Sequence, residues 1–285
     1  METTIGYWSD RRFLILHLKP SQLFYRKFNK EHLLYDNTIM NILKSIKSNN
    51  RIYFLLFVIL ATLVNLTVIA FSDLESSRLT RLITVFLFFI YYTLDRQYFN
   101  IWMISALAFF VVKDIFFQFY EESWGYKLYL IFGTLGYITI VLERLPKISE
   151  ITFKPAIVFI TSLLVAANTY TLYIIMSMVT HTFHDGIEPV LLYLYGASMM
   201  LLGVEAIAYN NKYNSTRSLT YTFFAFAFIF SDIAALFAYY FNFDVFYFFD
   251  RFFFLSALGL YVHYGLNYES IKEEYFQYEM IDKKL

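Results

Sequence analysis

The chain has 285 residues, 59% of them hydrophobic and 22% aromatic, with a mean hydropathy of +0.50, against roughly 45–50% apolar residues in an ordinary soluble domain. That excludes a conventional soluble fold and points to the bilayer. The 23 basic and 23 acidic residues cancel, so nothing in the balance suggests a nucleic-acid partner; the lack of cysteine removes disulfides, Cys-ligated zinc, iron-sulfur clusters and thiol catalysis together.

Residues 1–50 carry eight basic side chains among scattered aromatics, and their apolar run RRFLILHLKP is too short to span. They read as a basic extension, either interfacial or loosely held. Met40 is an alternative translation start, because MNILKSIKSNNRIYFLLFVILA resembles an ordinary beginning.

A bilayer core of ~30 Å takes about 17–25 apolar residues per helix. Eight stretches fit: 52–71, 79–93, 98–119, 126–142, 157–178, 190–209, 219–240 and 245–264. The predicted fold is therefore all-α, an eight-helix membrane domain over 51–268 with a short tail at 269–285. With the N-terminus cytoplasmic, the inside segments hold eighteen of the 23 basic residues, as the retention of Lys and Arg on that side requires. Arg78, Arg81 and Lys127 fall to the outer connections, and Lys113 and Arg251 fall inside helices. Both termini are expected in the cytoplasm, across the plasma membrane of a bacterium.

Two intramembrane acids stand out, Asp114 in ALAFFVVKDIFFQF and Asp232 in FAFAFIFSDIAALF. An Asp at a helix centre costs ~2.5–3.5 kcal/mol on insertion scales, so both should face protein or a watery cavity. The two segments share a Phe four residues before the Asp, an Ile directly after and a Phe five after. Asn65 and Asn168 likewise lie mid-span, again four helices apart, consistent with two parallel four-helix repeats. Asp114 lies 18 residues beyond Arg96 and Asp232 15 beyond Arg217, which puts them within about 5 Å of one depth. Two carboxyls in a poorly solvated pocket separate into an acid and an ionised partner, the equipment for acid/base hydrolysis. The competing reading gives each Asp a structural partner, such as Lys113 or Arg251.

Arg251 is either an anion-binding group or a cation snorkelling to the interface, and Glu205 reads as a solvated charge at a helix end. HTFHD offers His181, His184 and Asp185, but His263 lies at the opposite end of its helix and cannot complete a zinc set. No metal or cofactor is expected. Ser231, Tyr195, Asn65 and Asn168 are candidate polar lining for a substrate site.

The segments EPVLLYLYGASMMLLGVEAIAY, NNKYNSTRS, AFAFIFSDIAALFAYY and FDRFFFLSALGLYVHYGL resemble the YhhN family of eight-span membrane proteins, which includes lysoplasmalogenases. The resemblance covers about 52–268 and is best from 188 onward. Phe228, Ser231 and Asp232 fit the family's Ser-Asp run. Its third-helix Gly-Asp pair is Lys113 and Asp114 here, the histidine three before Tyr137 is Thr134, and a last-helix glutamine is replaced near Ala257. The resemblance implies hydrolysis of the vinyl-ether bond of a lysophospholipid; of the two acids, Asp232 is assigned as the acid and Asp114, which adjoins Lys113, as the ionised partner. The other readings are a transporter or lipid-binding protein using the same acids as a proton or cation relay, and a degenerate relative without activity.

Overall fold

The computed structural model describes residues 52–94, 100–148, 155–179 and 183–266. The basic extension, Met40, His181 and the 269–285 tail lie outside the described residues. The chain divides into two compact units, Met1–Leu56 and Phe57–Leu285. Of the first, only 52–56 are described, as helix with Ile52, Tyr53, Leu55 and Leu56 exposed.

Eight helices and no strand occur among the described residues: α1 (Ile52–Phe71), α2 (Leu74–Leu94), α3 (Ile101–Phe117), α4 (Ser123–Ile148), α5 (Pro155–Val179), α6 (Ile187–Tyr213), α7 (Thr216–Phe241) and α8 (Val245–Leu266). Seven contain stretches long and apolar enough to cross a membrane; α3, at 17 residues, is the remaining one. The chain is a multi-pass integral membrane protein, helical throughout the spans among the described residues. Its outward faces carry bare apolar side chains, for example Phe159, Leu163, Phe223 and Phe252, as lipid contact requires.

Local chemistry sets the ends. Asn100 caps α3 by accepting from the Trp102 N–H at 3.1 Å. Ser215 and Ser218 form a reciprocal capping box at the start of α7. Asn214 and Asn242 close α6 and α7 in the left-handed region, with φ of 43° and 55°, which Asn tolerates better than most residues. Only two residues separate α6 from α7 and α1 from α2, so each pair turns back on itself.

The second element begins earlier than the sequence pattern predicts. Asp73 accepts from the Ser76 N–H, starting α2 at Leu74 and drawing Arg78 and Arg81 into the helix. Both are buried, at 3% and 2% exposure, rather than in an outer connection as expected. Hydropathy alone cannot extend a span across two arginines; acidic partners can, Asp114 and Asp250 on other helices for Arg81 and Glu121 in the α3–α4 connection for Arg78.

Helices α2, α3, α4, α6, α7 and α8 pack in a closed ring, each on the next, with α8 returning to α2. On the outside, α5 packs on α6, and α1 meets α2 through the Asn65 amide donating to Thr84 Oγ1 at 2.9 Å and the Phe57–Phe88 ring contact. Inside the ring the core is aromatic: Phe228 contacts Phe110, Tyr137 and Phe254. Close approach is needed at Gly133, where a Cβ would lie 2.4 Å from Tyr195 Cε2 and 3.3 Å from Lys113 Cδ. Gly133→Ala is expected to lower stability by ~1–3 kcal/mol through overpacking, read as a lower thermal midpoint in detergent. An unchanged midpoint would mean that the Tyr195 ring yields freely.

Candidate functional site

A cavity of about 350 Å³ lies over α6, flanked by α5 and α7, within the ~300–1,000 Å³ range of small-ligand sites. Its walls are apolar: Val165 and Leu172 from α5, Met200 from α6, and Ile229, Ile233 and Leu236 from α7. Gly196 and Gly203 lower its floor on α6. Along α7 the lining runs from Phe226 to Tyr240, which at ~1.5 Å rise per residue makes a slot ~20 Å long. Its lining residues Asn168, Thr171 and Phe230 are exposed on the outer surface, so the slot opens toward lipid.

The polar end lies toward the α3–α4 and α7–α8 connections. Tyr120, Tyr239 and Tyr240 line it there, whereas Asp232, the one acidic or basic side chain in the lining, sits part-way along the slot near Tyr129 and Tyr195. The Tyr240 hydroxyl is hydrogen-bonded to that of Tyr126 at 2.6 Å, which ties α7 to α4 at this end.

Behind Asp232 stands Lys113, fully buried. Its ammonium donates to Tyr195 Oη at 2.7 Å and to Asp232 Oδ1 at 3.5 Å, and the Tyr137 hydroxyl donates to Asp232 Oδ2. The rings of Tyr129, Tyr195 and Tyr137 surround the ammonium at 4.8, 5.2 and 5.7 Å, an arrangement that favours a cation. A lysine and an aspartate can be tolerated at this depth because each compensates the other and the remaining donors are hydroxyls.

Asp114 is one residue further along α3 but faces away from the slot. It is fully buried and absent from the cavity wall. Arg81 grips it with a two-pronged pair, Nε to Oδ2 at 3.0 Å and Nη2 to Oδ1 at 2.7 Å. The same guanidinium reaches Asp250 at 3.4 Å, which also accepts from Ser231 Oγ at 2.7 Å and from Arg251. Four helices, α2, α3, α7 and α8, are thus tied by one ionic cluster. Arg78 lies at its edge, stacked over Phe117 at 5.0 Å and paired with Glu121 at 2.6 Å. That hydrogen bond holds the exposed Glu121 carboxyl below its usual range.

The sequence candidates therefore divide. Asp232, Tyr195 and Asn168 line the slot. Ser231 and Arg251 turn instead to Asp250, and Asn65 to Thr84 and the Ala61 carbonyl. The structural partner of Asp114 is neither Lys113 nor Arg251, as weighed from sequence, but Arg81. Arg251 does not snorkel: it is 0% exposed, because Asp250 and Ser77 engage it inside the bundle. Glu205 is no solvated end charge either; it is buried and accepts from the Tyr221 hydroxyl at 2.7 Å. Continuing α6 to Tyr213 places Glu205 two turns inside the helix rather than at its end.

Lys113, weighed from the sequence as a partner for either aspartate, pairs with Asp232; Tyr137 and Arg81 are contacts that the sequence reading did not assemble. The available signal was charge pairing, since an intramembrane acid needs a nearby partner and the cations stood in the second and third helices. Among the described residues no three His, Asp or Glu side chains converge as metal ligands. His184 lies 3.5 Å from Glu188, and Asp185 pairs with Lys127. Comparison with family models, curated proteins and solved structures finds no match to this chain.

Proposed function

We propose that the protein is a membrane-embedded lipid hydrolase resembling the lysoplasmalogenases of the YhhN family, cleaving a vinyl-ether bond with Asp232 as its proton donor. The observation that carries this reading is an apolar slot that opens toward lipid and carries a single carboxyl group, Asp232, part-way along its wall. A slot ~20 Å long can hold a lipid chain, with a bond of that lipid placed beside Asp232.

The chemistry uses groups already in contact. Asp232, ion-paired with Lys113 at rest, takes up a proton for the reaction and gives it to the vinyl carbon, and the carboxylate so restored stabilises the oxocarbenium ion. Water adds to that ion, its proton returns to Asp232, and the hemiacetal collapses to an aldehyde and an alcohol. Lys113 and Tyr137 orient the carboxyl. Asp114, the paired carboxylate of this reading, acts from behind the wall, where it holds Arg81.

The reading includes eight spans with both termini cytoplasmic, in a bacterial plasma membrane, built as two parallel repeats. Supporting the repeat, the packing order of α2, α3 and α4 recurs in α6, α7 and α8, and α4 packs on α6 as α8 packs on α2. The α3 helix is 17 residues long, ~26 Å at the α-helical rise, and its end residues complete a crossing.

Purified protein is expected to release fatty aldehyde from a 1-alkenyl glycerolipid in detergent or liposomes. No aldehyde under conditions where an active lysoplasmalogenase works would reject the reading. The competing reading, a proton or cation relay, draws support from the buried run of charges from Asp232 through Lys113 to Asp114 and Arg81. Against it, α3 and α7 pass both aspartates as unbroken helices, without the interrupted segments common in transporters. Proton flux into protein-loaded liposomes, lost in Asp232→Asn, would favour the relay; neither aldehyde nor flux would favour a degenerate relative.

A further inference from the structure

We infer that the slot carries a head-group subsite built of tyrosine hydroxyls, in which Tyr129 and Tyr240 donate to the phosphate of a single-chain lipid whose hydrocarbon lies on the far side of Asp232. The inference rests on the reading of this cavity as the substrate site; it assigns the direction in which the lipid lies and the groups that hold its head.

The wall differs on the two sides of Asp232. Away from the α3–α4 and α7–α8 connections, α6 and α7 contribute Met200, Val204, Ile207, Phe226 and Ile229, which offer hydrocarbon contact and no hydrogen bond. Toward the connections stand Tyr120, Tyr239 and Tyr240. Tyr240 is eight residues beyond Asp232, ~12 Å along α7. A lipid whose cleavable bond lies beside Asp232 therefore meets apolar wall with its chain on one side and hydroxyls with its head on the other.

Two of these hydroxyls have a hydrogen to give. Tyr129 stands between Asp232 and the connections: its ring lies 6.2 Å from that of Tyr195, which accepts from Lys113, and 5.3 Å from that of Tyr120. It is 6% exposed and forms part of the wall, and its hydroxyl makes no hydrogen bond to a described residue. A buried hydroxyl without a partner is costly, so this one is placed for a ligand oxygen. Nearer the connections, two contacts join the hydroxyls of Tyr120, Tyr126 and Tyr240, at 3.5 Å and 2.6 Å. Three hydroxyls carry three hydrogens and the contacts use two; with Tyr120 and Tyr126 donating to Tyr240, the Tyr240 hydrogen is left for the slot. Accepting from its neighbours polarises that O–H and strengthens it as a donor.

Phosphate suits such donors, because hydrogen bonds to a charged acceptor are about twice as strong as those between neutral groups. Tyr120, Tyr239 and Tyr240 are half-buried, so a phosphate held there keeps water on one side and does not need a cation buried with it. The three carbons of a glycerol separate it from the ether bond, which keeps the two anions apart. Glu188, the buried acid near this end, lies outside the wall and is already engaged by the Ser123 hydroxyl at 2.5 Å and the His184 N–H at 2.9 Å.

Saturated ethers separate this inference from the hydrolase reading, because they bind without undergoing vinyl-ether hydrolysis. The full chain, purified in detergent, is titrated with three hexadecyl ligands that compete with a fluorescent fatty-chain probe: the glycerol ether, its phosphocholine derivative, and hexadecylphosphocholine, which has the phosphate and no glycerol. Both phosphate compounds are expected to compete at ~10-fold lower concentration than the glycerol ether. Tyr129→Phe is expected to weaken each of them by ~10-fold and the glycerol ether by ~3-fold or less, the difference between losing a hydrogen bond to a charged acceptor and one to a neutral acceptor. Tyr240→Phe should act likewise. Since Tyr129 has no protein hydrogen bond to lose, its Phe variant should keep the wild-type thermal midpoint, and the changed competition then reports the site rather than the fold.

Equal competition by all three ligands overturns the inference. So does a phosphate preference that survives in both Phe variants, or a loss in Tyr129→Phe that follows the glycerol and not the phosphate. If the preference and its loss hold while no aldehyde is released from a vinyl-ether lipid, the hydrolase reading fails and the subsite stands; if aldehyde is released while both variants keep the wild-type preference, the subsite fails and the hydrolase reading stands.

Discussion

Arg81→Ala is expected to destabilise the protein more than any other single change considered, by about 3–5 kcal/mol, the usual cost of removing one member of a buried ion pair. The reason is what remains. Asp114, fully buried, loses both prongs of its guanidinium partner, and Asp250 loses one of its two cations. Against total stabilities of about 5–15 kcal/mol, that loss should appear as a large fall in the thermal midpoint in detergent, and in the monodisperse yield. Arg81→Lys restores the charge but not the planar fork, so an intermediate midpoint is expected. Replacing both Arg81 and Asp114 with apolar residues of similar volume should recover much of the loss, because no unpaired charge is left. An alanine variant that melts with the wild type would show that the cluster contributes nothing to stability.

Asp232→Asn is expected to separate chemistry from folding. On the proposed reading it removes the proton donor, and hydrolysis should fall by ~10²–10⁴-fold, the span typical of a lost general acid. The fold should survive, because Asn still accepts from Tyr137 and keeps nearly the same shape, and Asp232 borders a cavity rather than sitting in the packed interior. Lys113 then carries an uncompensated charge, partly offset by Tyr195 and the surrounding rings. Asp114→Asn supplies the contrast: its side chain touches Arg81 rather than the slot, so stability is expected to fall at least as far as turnover per folded molecule. Aldehyde release normalised to monodisperse protein, beside the melting midpoint, gives both readouts. Full activity in a folded Asp232→Asn variant would remove Asp232 from the chemistry.

The same distinction shows how far the sequence could be read. Span-length apolar runs and the distribution of Lys and Arg suffice to identify a multi-pass helical membrane protein, because the bilayer sets helix length and polar backbone must be satisfied within each segment. The energetic anomaly of Asp114 and Asp232 is equally local: a carboxylate in an apolar helix is costly wherever the helix packs, so both were recognisable as inward-facing. Shared depth was legible too, from the rise per residue. Direction around the helix was not.

Asp114 and Lys113 are neighbours in sequence, yet one turns to Arg81 and the other to Asp232, since successive residues on a helix point about 100° apart. Which face meets which neighbour depends on the ring α2–α3–α4–α6–α7–α8. That order brings Arg81 to Asp114 and Asp250 across 33 and 169 residues. It also leaves α5 outside, so that α5, α6 and α7 enclose the slot. From its own amino acids the chain determined that it lives in a membrane and that Asp114 and Asp232 turn inward. Only the tertiary packing decided that one of them holds an arginine while the other faces a cavity, because pairing energies between distant helices exist only once the bundle has closed.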